Sequence, residues 1–351
     1  MGLRNPFSSV PDPFGVEELI DISFRRAFSR PRAIGKRRDM ISGIRAKEIS
    51  RIQSIYDTIS SKLDSIVKSF PSVEKLDPLY RELLEIMGGI DEVKHSLGAL
   101  SWASRTMKRL LRTYSSLIRR EEDPERIAEL RREFLGRTVS ILRRISKEVD
   151  FLRELIPKLK DLPDLDTTSP TVIIAGMPNT GKSTLLSKLT TKRPEIAPYP
   201  FTTKGLIIGH GAIPSVGRVQ FVDTPGLLDR PLAERNRMEL QAIAALRHLR
   251  GPVLYLFDPT ETCGYSLKQQ LSLLNELMGT LRKRYLAVLN KSDMFEDFRD
   301  NFTRVEAELR GVGVESLRIS AERGDGMEEL LNILDKILRE IRDEVGVPPI
   351  G

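Results

Sequence analysis

Residues 171–185 read TVIIAGMPNTGKSTL: a short β-branched apolar run, a glycine-bounded loop, and the opening of a helix. The loop fills the pattern G-x-x-x-x-G-K-[ST] with Gly176, Gly181, Lys182 and Ser183, directly after the strand-forming Val172 to Ala175. Backbone N–H groups can close on an anion only where no side chain intervenes, which is why glycine stands at both ends of such a loop. The helix that follows adds the positive end of its dipole. The spacing therefore predicts a phosphate cradle. Pro178, Asn179, Thr180 and Thr184 complete its wall, Lys182 reaches the β- and γ-phosphates, and the Ser183 hydroxyl ligates Mg²⁺.

Downstream, short apolar runs alternate with helical stretches, the sequence form of an α/β domain with a mostly parallel sheet over residues 171–345. Strands are expected at 172–175, 205–208, 219–222, 253–257, 286–289 and 317–319, and helices at 182–190, 237–249, 266–281, 298–309 and 327–344. Four further motifs fall at the ends of these runs. Asp223-Thr224-Pro225-Gly226 follows one strand, so Asp223 can hold Mg²⁺ through a water and the Gly226 N–H can meet a γ-phosphate. Tyr199-Pro200-Phe201-Thr202-Thr203 precedes it, and Thr203 is the threonine expected to complete the metal shell only when a γ-phosphate is present. Asn290-Lys291-Ser292-Asp293 follows another strand. A carboxylate accepts from guanine N1–H and N2–H₂ but would face an acceptor on adenine, so Asp293 reads the base while Asn290 and the Lys291 stem support the pocket. Ser320-Ala321-Glu322 follows the last strand, with the Ala321 N–H expected to reach guanine O6. Together they predict a guanine-nucleotide site and disfavour an ATPase.

Upstream, residues 1–160 read as a proline-bearing basic arm followed by an all-helical bundle. Helices are expected at 16–29, 40–70, 77–87, 91–120 and 123–155. Within the second, Ile52, Ile55, Ile59, Leu63 and Ile66 recur at spacings of three and four. Pro157, Pro163 and Pro170 mark a linker, placed at 161–170, and residues 346–351 form a tail. Residues 1–166 carry 32 Lys and Arg against 26 Asp and Glu, whereas the remainder is nearly balanced. A polyanion would therefore meet the first half. Arg25, Arg26, Arg37 and Arg38 flank a loop suited to phosphate contacts, the alternative being a solvated face. The row Arg105, Lys108, Arg109 and Arg112 reads as a solvated helix face. A single cysteine, Cys263, excludes an internal disulfide and a cysteine-cluster metal site, which fits a reducing cytoplasm. No apolar run reaches the roughly 18 residues of a membrane span. A cytoplasmic monomer without a membrane element is expected.

The combination GMPNTGKST, YPFTT, DTPG, NKSD and SAE resembles the Obg-related group of translation-factor-class GTPases. NPF at Asn5 to Phe7, ELID at Glu18 to Asp21 and FRRA at Phe24 to Ala27, ahead of a helical bundle, resemble the nucleolar GTP-binding protein (Nog) family in particular. The resemblance covers almost the whole chain and implies GTP and GDP as ligands. It also implies a role in assembly of the large ribosomal subunit or its precursor, with the helical domain on rRNA. The nucleolar members carry a long C-terminal extension, whose contacts are not carried over.

Two positions bear on turnover. Leu227 stands where many small GTPases carry a water-orienting glutamine, so intrinsic hydrolysis is expected to be slow. Asn179 occupies the position at which potassium-dependent relatives ligate a monovalent cation, making K⁺ the second expected ion beside Mg²⁺; its other reading is a turn residue. Lys182, Asn179, Thr203 and Gly226 are thus the expected catalytic set. The competing function is a nucleotide-stabilised RNA- or protein-binding module with negligible turnover.

Overall fold

The computed structural model describes residues 5–29, 40–200 and 205–345. Arg37, Arg38 and Thr203 lie outside them. The chain forms two compact units that are interleaved in sequence, one comprising residues 6–76 and 87–160, the other residues 1–5, 77–86 and 161–351.

The first unit is helical: α1 (Val16–Ser29), α2 (Met40–Ser69), α4 (Ile90–Arg120), α5 (Pro124–Arg144) and α6 (Ser146–Lys160), with α3 (Pro78–Gly88) leaving it for the second unit. The three-and-four spacing of α2 becomes a buried stripe of Ile52, Ile55, Ile59, Leu63 and Ile66. That stripe faces α4, whose Val93, Leu100, Ala103, Met107, Leu111 and Ile118 are also buried, and α4 in turn packs on α5 and α6. The start of α5 is set by Asp123, whose carboxylate accepts from the Glu125 N–H at 3.0 Å ahead of Pro124 in the first turn. Two details depart from the sequence expectation. The single helix expected over 123–155 is broken at Ile145, whose N–H turns back to Arg143 and Leu142 without a glycine or proline to announce it. Pro157 marks no linker but lies inside α6, which continues to Lys160 because Leu152, Leu155, Ile156 and Leu159 are buried along one face.

The second unit is built on a seven-stranded sheet of β1 (Thr171–Ala175), β2 (Glu195–Ala197), β3 (Leu206–Ile213), β4 (Gly217–Asp223), β5 (Val253–Phe257), β6 (Tyr285–Leu289) and β7 (Glu315–Arg318), in the order β2-β3-β4-β1-β5-β6-β7. The pairs β4-β1, β1-β5, β5-β6 and β6-β7 are parallel, while β2-β3 and β3-β4 are antiparallel. β1, β5 and β6 are buried at every residue, as strands covered on both faces must be. Helices α7 (Lys182–Leu189), α8 (Arg237–Ala245), α9 (Leu267–Leu281), α10 (Arg299–Gly311) and α11 (Met327–Val345) complete the unit. None of the described helices is long and apolar enough to cross a membrane.

Residues 161–170, expected as a linker, are built into this unit together with α3. The buried Tyr80 hydroxyl donates to Pro163 O at 2.8 Å and accepts from the Leu165 N–H at 3.1 Å, and Thr167 donates to Asp77 at 2.6 Å. Glu82, further along the same stretch, meets His248 at 2.6 Å and Arg247 at 3.1 Å. Removing the Tyr80 hydroxyl leaves a buried carbonyl and a buried N–H without this partner. Tyr80→Phe is therefore expected to lower unfolding stability by about 2 kcal/mol in a urea titration.

Candidate functional site

The parallel register brings the motif loops to one edge. Ile174 lies opposite Asp223, Ala175 opposite Tyr255, Phe257 opposite Leu289 and Leu289 opposite Arg318. Gly176, Asp223, Asp258, Asn290 and Ile319 therefore leave the sheet at its carboxyl ends, around the central β1 where connections depart to opposite sides.

The loop after β1 has the shape its glycines predict. Gly176 lies at φ 138° and Gly181 at φ 99°. A Cβ at Gly176 would fall 2.5 Å from Leu256 O, and one at Gly181 would fall 2.2 Å from Asn290 Nδ2, so no larger residue fits either. Asn179, at the loop's crest, has φ 60°, a left-handed conformation asparagine tolerates better than most residues. Its exposed side chain makes no hydrogen bond among the described residues, so the turn is held by other groups of the loop. Pro178 is half-buried, and Thr180 is buried with its hydroxyl donating to Met177 O at 3.0 Å. Lys182 is also buried, its ammonium donating to Gly176 O at 2.8 Å and Met177 O at 2.7 Å. Ser183 and Thr184 stand exposed in the first turn of α7.

Asn290 joins three loops. Its Nδ2 donates to Thr180 O at 2.9 Å, and its Oδ1 accepts from the Ala321 N–H at 2.9 Å. The Ala321 amide, expected from sequence to face guanine O6, is thus taken up by the bridge. Ser320 is buried and its hydroxyl accepts from the Arg323 N–H at 3.2 Å, closing the turn that carries Ala321, while Glu322 is exposed. Asp293 sits in a one-turn 3₁₀ helix, Ser292–Met294, with Arg323 3.9 Å from its carboxylate.

Asp258, not singled out from the sequence, is the anchor of this half of the site. It is fully buried at the end of β5 and accepts from Lys291 Nζ at 2.6 Å, Thr260 Oγ1 at 2.5 Å and the Cys263 N–H at 2.7 Å. Burial alone would raise its pKa, but the hydrogen bonds from Lys291 and Thr260 outweigh it and hold the carboxyl below its ordinary value. The Lys291 backbone lies at φ 61°, and its ammonium is tied to Asp258 and to the Thr262 hydroxyl at 2.6 Å. An aspartate directly after a fully apolar strand was the available signal; its five-residue loop of partners was not legible.

On the other side of β1, Asp223 is buried and accepts from the Thr224 N–H at 2.8 Å. Burial pushes its pKa up to about 6, with Lys182 pulling it down and Asp229 adding to the rise. Thr224 donates to Ile174 O at 3.1 Å, fixing this turn to the cradle strand. The Gly226 N–H, expected to be held for a γ-phosphate, is donated to Asp229 Oδ2 at 2.7 Å, and the Gly226 carbonyl accepts from Arg235 Nη1 at 3.0 Å. Leu227 is fully buried. Asp223 and the Ser183 hydroxyl are hard oxygen donors of the kind Mg²⁺ takes, and Asp223 is a desolvated carboxylate, so the donor set fits that ion. Among the described residues no group of three His, Cys, Asp or Glu side chains could hold a metal by itself. Cys263 is free and buried.

The site of residues 25–38 is described only in part: Arg25 and Arg26 are exposed at the end of α1, and Arg25 pairs with Asp21 at 2.5 Å. Arg105, Lys108, Arg109 and Arg112 are exposed along α4. Trp102 on the same helix is half-buried beneath the Arg144 guanidinium, 5.0 Å from the ring centre.

A family model described as the NOG1 N-terminal helical domain matches residues 7–166, and one described as nucleolar GTP-binding protein 1 (NOG1) matches residues 237–293. An uncharacterized protein of Methanocaldococcus jannaschii is 40% identical over 296 residues, covering 84% of this chain and 83% of that protein. Nucleolar GTP-binding protein 1 of Encephalitozoon cuniculi is 34% identical over 284 residues, covering 81% of this chain and 53% of the relative. The Drosophila melanogaster protein of that name is 34% identical over 279 residues, covering 79% and 43%. The chain thus spans about half the length of these two relatives. A crystal structure from Plasmodium falciparum titled as a nucleolar GTP-binding protein 1 is similar over 52% of this chain and 93% of its own, with 28% identity and a TM-score of 0.47.

Asp258→Asn leaves Lys291 beside a neutral amide in a buried setting and is expected to cost about 2–3 kcal/mol at pH 7. Because the folded-state pKa of Asp258 is depressed, this contribution is present above the unfolded carboxylate value of about 4 and is lost as pH falls toward the folded one. Denaturant titrations of wild type and variant should therefore converge on acidification; a constant gap down to about pH 2 would contradict the assignment.

Proposed function

The chain belongs to the nucleolar GTP-binding protein 1 family, and we propose that it binds guanine nucleotide between the loop 176–184 and Asp293 and hydrolyses GTP slowly. The observation that carries this reading is the Asn290 bridge: one carboxamide fixes the phosphate loop at Thr180 and the base-side turn at Ala321 in a single register. A nucleotide whose phosphates lie on the first loop then presents its base to the second. Asp293 accepts from guanine N1–H and N2–H₂. The aliphatic stem of Lys291, held by Asp258, walls the base pocket. The Asn290–Ala321 bond keeps that turn in place whether or not the Ala321 amide is also offered to O6.

At the phosphate end, Lys182 exchanges its two loop carbonyls for β- and γ-oxygens, so that a cation already buried in the cradle stabilises the charge that develops on transfer. Ser183, Asp223 through a water, and Thr203 in the triphosphate state would hold Mg²⁺, which when bound neutralises phosphate charge. Phosphoryl transfer then depends on positioning the water, and Leu227, buried and apolar, supplies no hydrogen bond for it. The unengaged carboxamide of Asn179 supports the proposal that K⁺ binds beside the phosphates and accelerates turnover. The Leu227 observation also favours the second reading, in which nucleotide stabilises an RNA- or protein-binding module with negligible turnover. Multiple-turnover hydrolysis measured with and without large ribosomal subunits separates the two.

The basic excess of the first half and the exposed Arg25, Arg26, Arg105, Lys108, Arg109 and Arg112 support rRNA of the large subunit or its precursor as the partner. Co-sedimentation with large subunits should depend on the nucleotide state and weaken steeply with salt, and removal of Arg25, Arg26, Arg37 and Arg38 should weaken it further. Salt-insensitive association would identify a protein partner instead.

Asp293→Asn is expected to lower GTP affinity by a factor on the order of 10² or more and to transfer preference to XTP, whose C2 oxo group accepts what the new amide donates. Unchanged GTP affinity would exclude Asp293 from the pocket. Hydrolysis should be faster in K⁺ than in Na⁺, and equal rates would remove the ion from Asn179.

A further inference from the structure

We propose that Asp229 is an internal competitor of the γ-phosphate, so that the protein distinguishes GTP from GDP by displacement of its own carboxylate. The proposal rests on the nucleotide reading above and concerns a residue that reading does not use. The Gly226 N–H is the backbone donor that the DTPG motif is expected to offer a γ-phosphate. Here the same N–H is donated to Asp229 Oδ2 at 2.7 Å, a short bond to an ionised acceptor. A carboxylate thus occupies the donor to which a phosphate oxygen would bind.

Three further observations place this charge in the γ-phosphate's surroundings and separate it from an ordinary surface contact. The Asp229 side chain is only 15% exposed. Its charge lies near enough to Asp223, the aspartate expected to hold Mg²⁺ through a water, to be felt there as repulsion. The next peptide, Gly226–Leu227, is held as well, Arg235 Nη1 donating to the Gly226 carbonyl at 3.0 Å. Arg235 is a costly residue to keep in that position. Its side chain is fully buried, its Nε and Nη2 have no hydrogen-bond partner among the described residues, and the Asp229 carboxylate lies 3.9 Å from Nη2. Desolvation pulls the Arg235 pKa down, with the neighbouring Arg230 adding to the fall. The buried guanidinium anchors the peptide that follows the Gly226 N–H in the chain. One N–H has one best acceptor, so Asp229 and a γ-phosphate compete for it.

GDP leaves the Gly226–Asp229 bond untouched. A triphosphate must break it and must also sit near a second negative charge. Asp229 therefore holds the segment in its diphosphate arrangement and sets the affinity gap between the two nucleotides. A local turn closure would have the same geometry without this consequence: losing it would lower stability and shift both nucleotides alike.

The test is calorimetric titration of the full chain, as wild type, Asp229→Ala and Asp229→Asn, with GDP and with a non-hydrolysable GTP analogue in the presence of Mg²⁺. Loss of a charge-assisted competitor should tighten the analogue about tenfold in Asp229→Ala and by a smaller factor in Asp229→Asn, whose neutral amide oxygen still accepts. GDP affinity should stay within about twofold. An analogue affinity that does not rise, or that moves in step with GDP, overturns the proposal. The near-isosteric asparagine keeps the test decisive if the alanine variant unfolds. A wild type that binds neither nucleotide removes the nucleotide reading and the competitor with it; a wild type that binds both, with variants of unchanged preference, removes the competitor alone.

Discussion

The carboxamide of Asn290 is the joint on which the site depends. Parallel strands deliver the motif loops to one edge of the sheet but leave each loop free to choose its own conformation. A buried side chain that donates from its amide to one loop and accepts at its carbonyl from the other removes that freedom for the phosphate loop and the Ala321 turn together. Gly181 must be glycine because the Asn290 amide occupies the space its Cβ would need. Asp258 performs the matching task one strand away by fixing Lys291. The base-side loops are thus set before any ligand arrives.

The anion-binding side is organised differently. Lys182 is satisfied by the carbonyls of its own loop and the Gly226 N–H by Asp229. Both of these groups have an internal partner, which spares a buried donor the cost of standing unpaired. Binding at this end is an exchange of partners, whereas binding at the base end is insertion into a fixed frame. The contrast fits a switch whose ligand identity is read rigidly and whose phosphate count is read by displacement.

How much of this was legible in sequence follows from how local each constraint is. The phosphate loop was legible because glycine requirements are imposed by neighbours in the chain, and the buried strands because being covered on both faces demands continuous apolar runs. β2 escaped notice because an edge strand with exposed Glu195 and Ile196 carries no apolar run. The break at Ile145 escaped because it uses neither glycine nor proline, and Pro157 misled because packing of α6 outweighs one lost backbone hydrogen bond. Asp258, Asp229 and Arg235 take their meaning from partners and burial that only the folded chain assigns. The incorporation of residues 77–86 into the α/β unit rests on contacts from Asp77, Tyr80 and Glu82 to residues 83 to 166 positions away, beyond the reach of any periodicity.

The central claim is that a pre-set pocket at Asp293, coupled to the cradle through Asn290, selects guanine. Direct titration of the full chain with GDP and with ADP, in Mg²⁺ and at one salt concentration, tests it without reference to turnover or partner. GDP should bind and ADP should bind weaker by a factor on the order of 10³ or more, because adenine presents an acceptor to the Asp293 carboxylate where guanine presents two donors. Comparable affinities for the two nucleotides would contradict the claim.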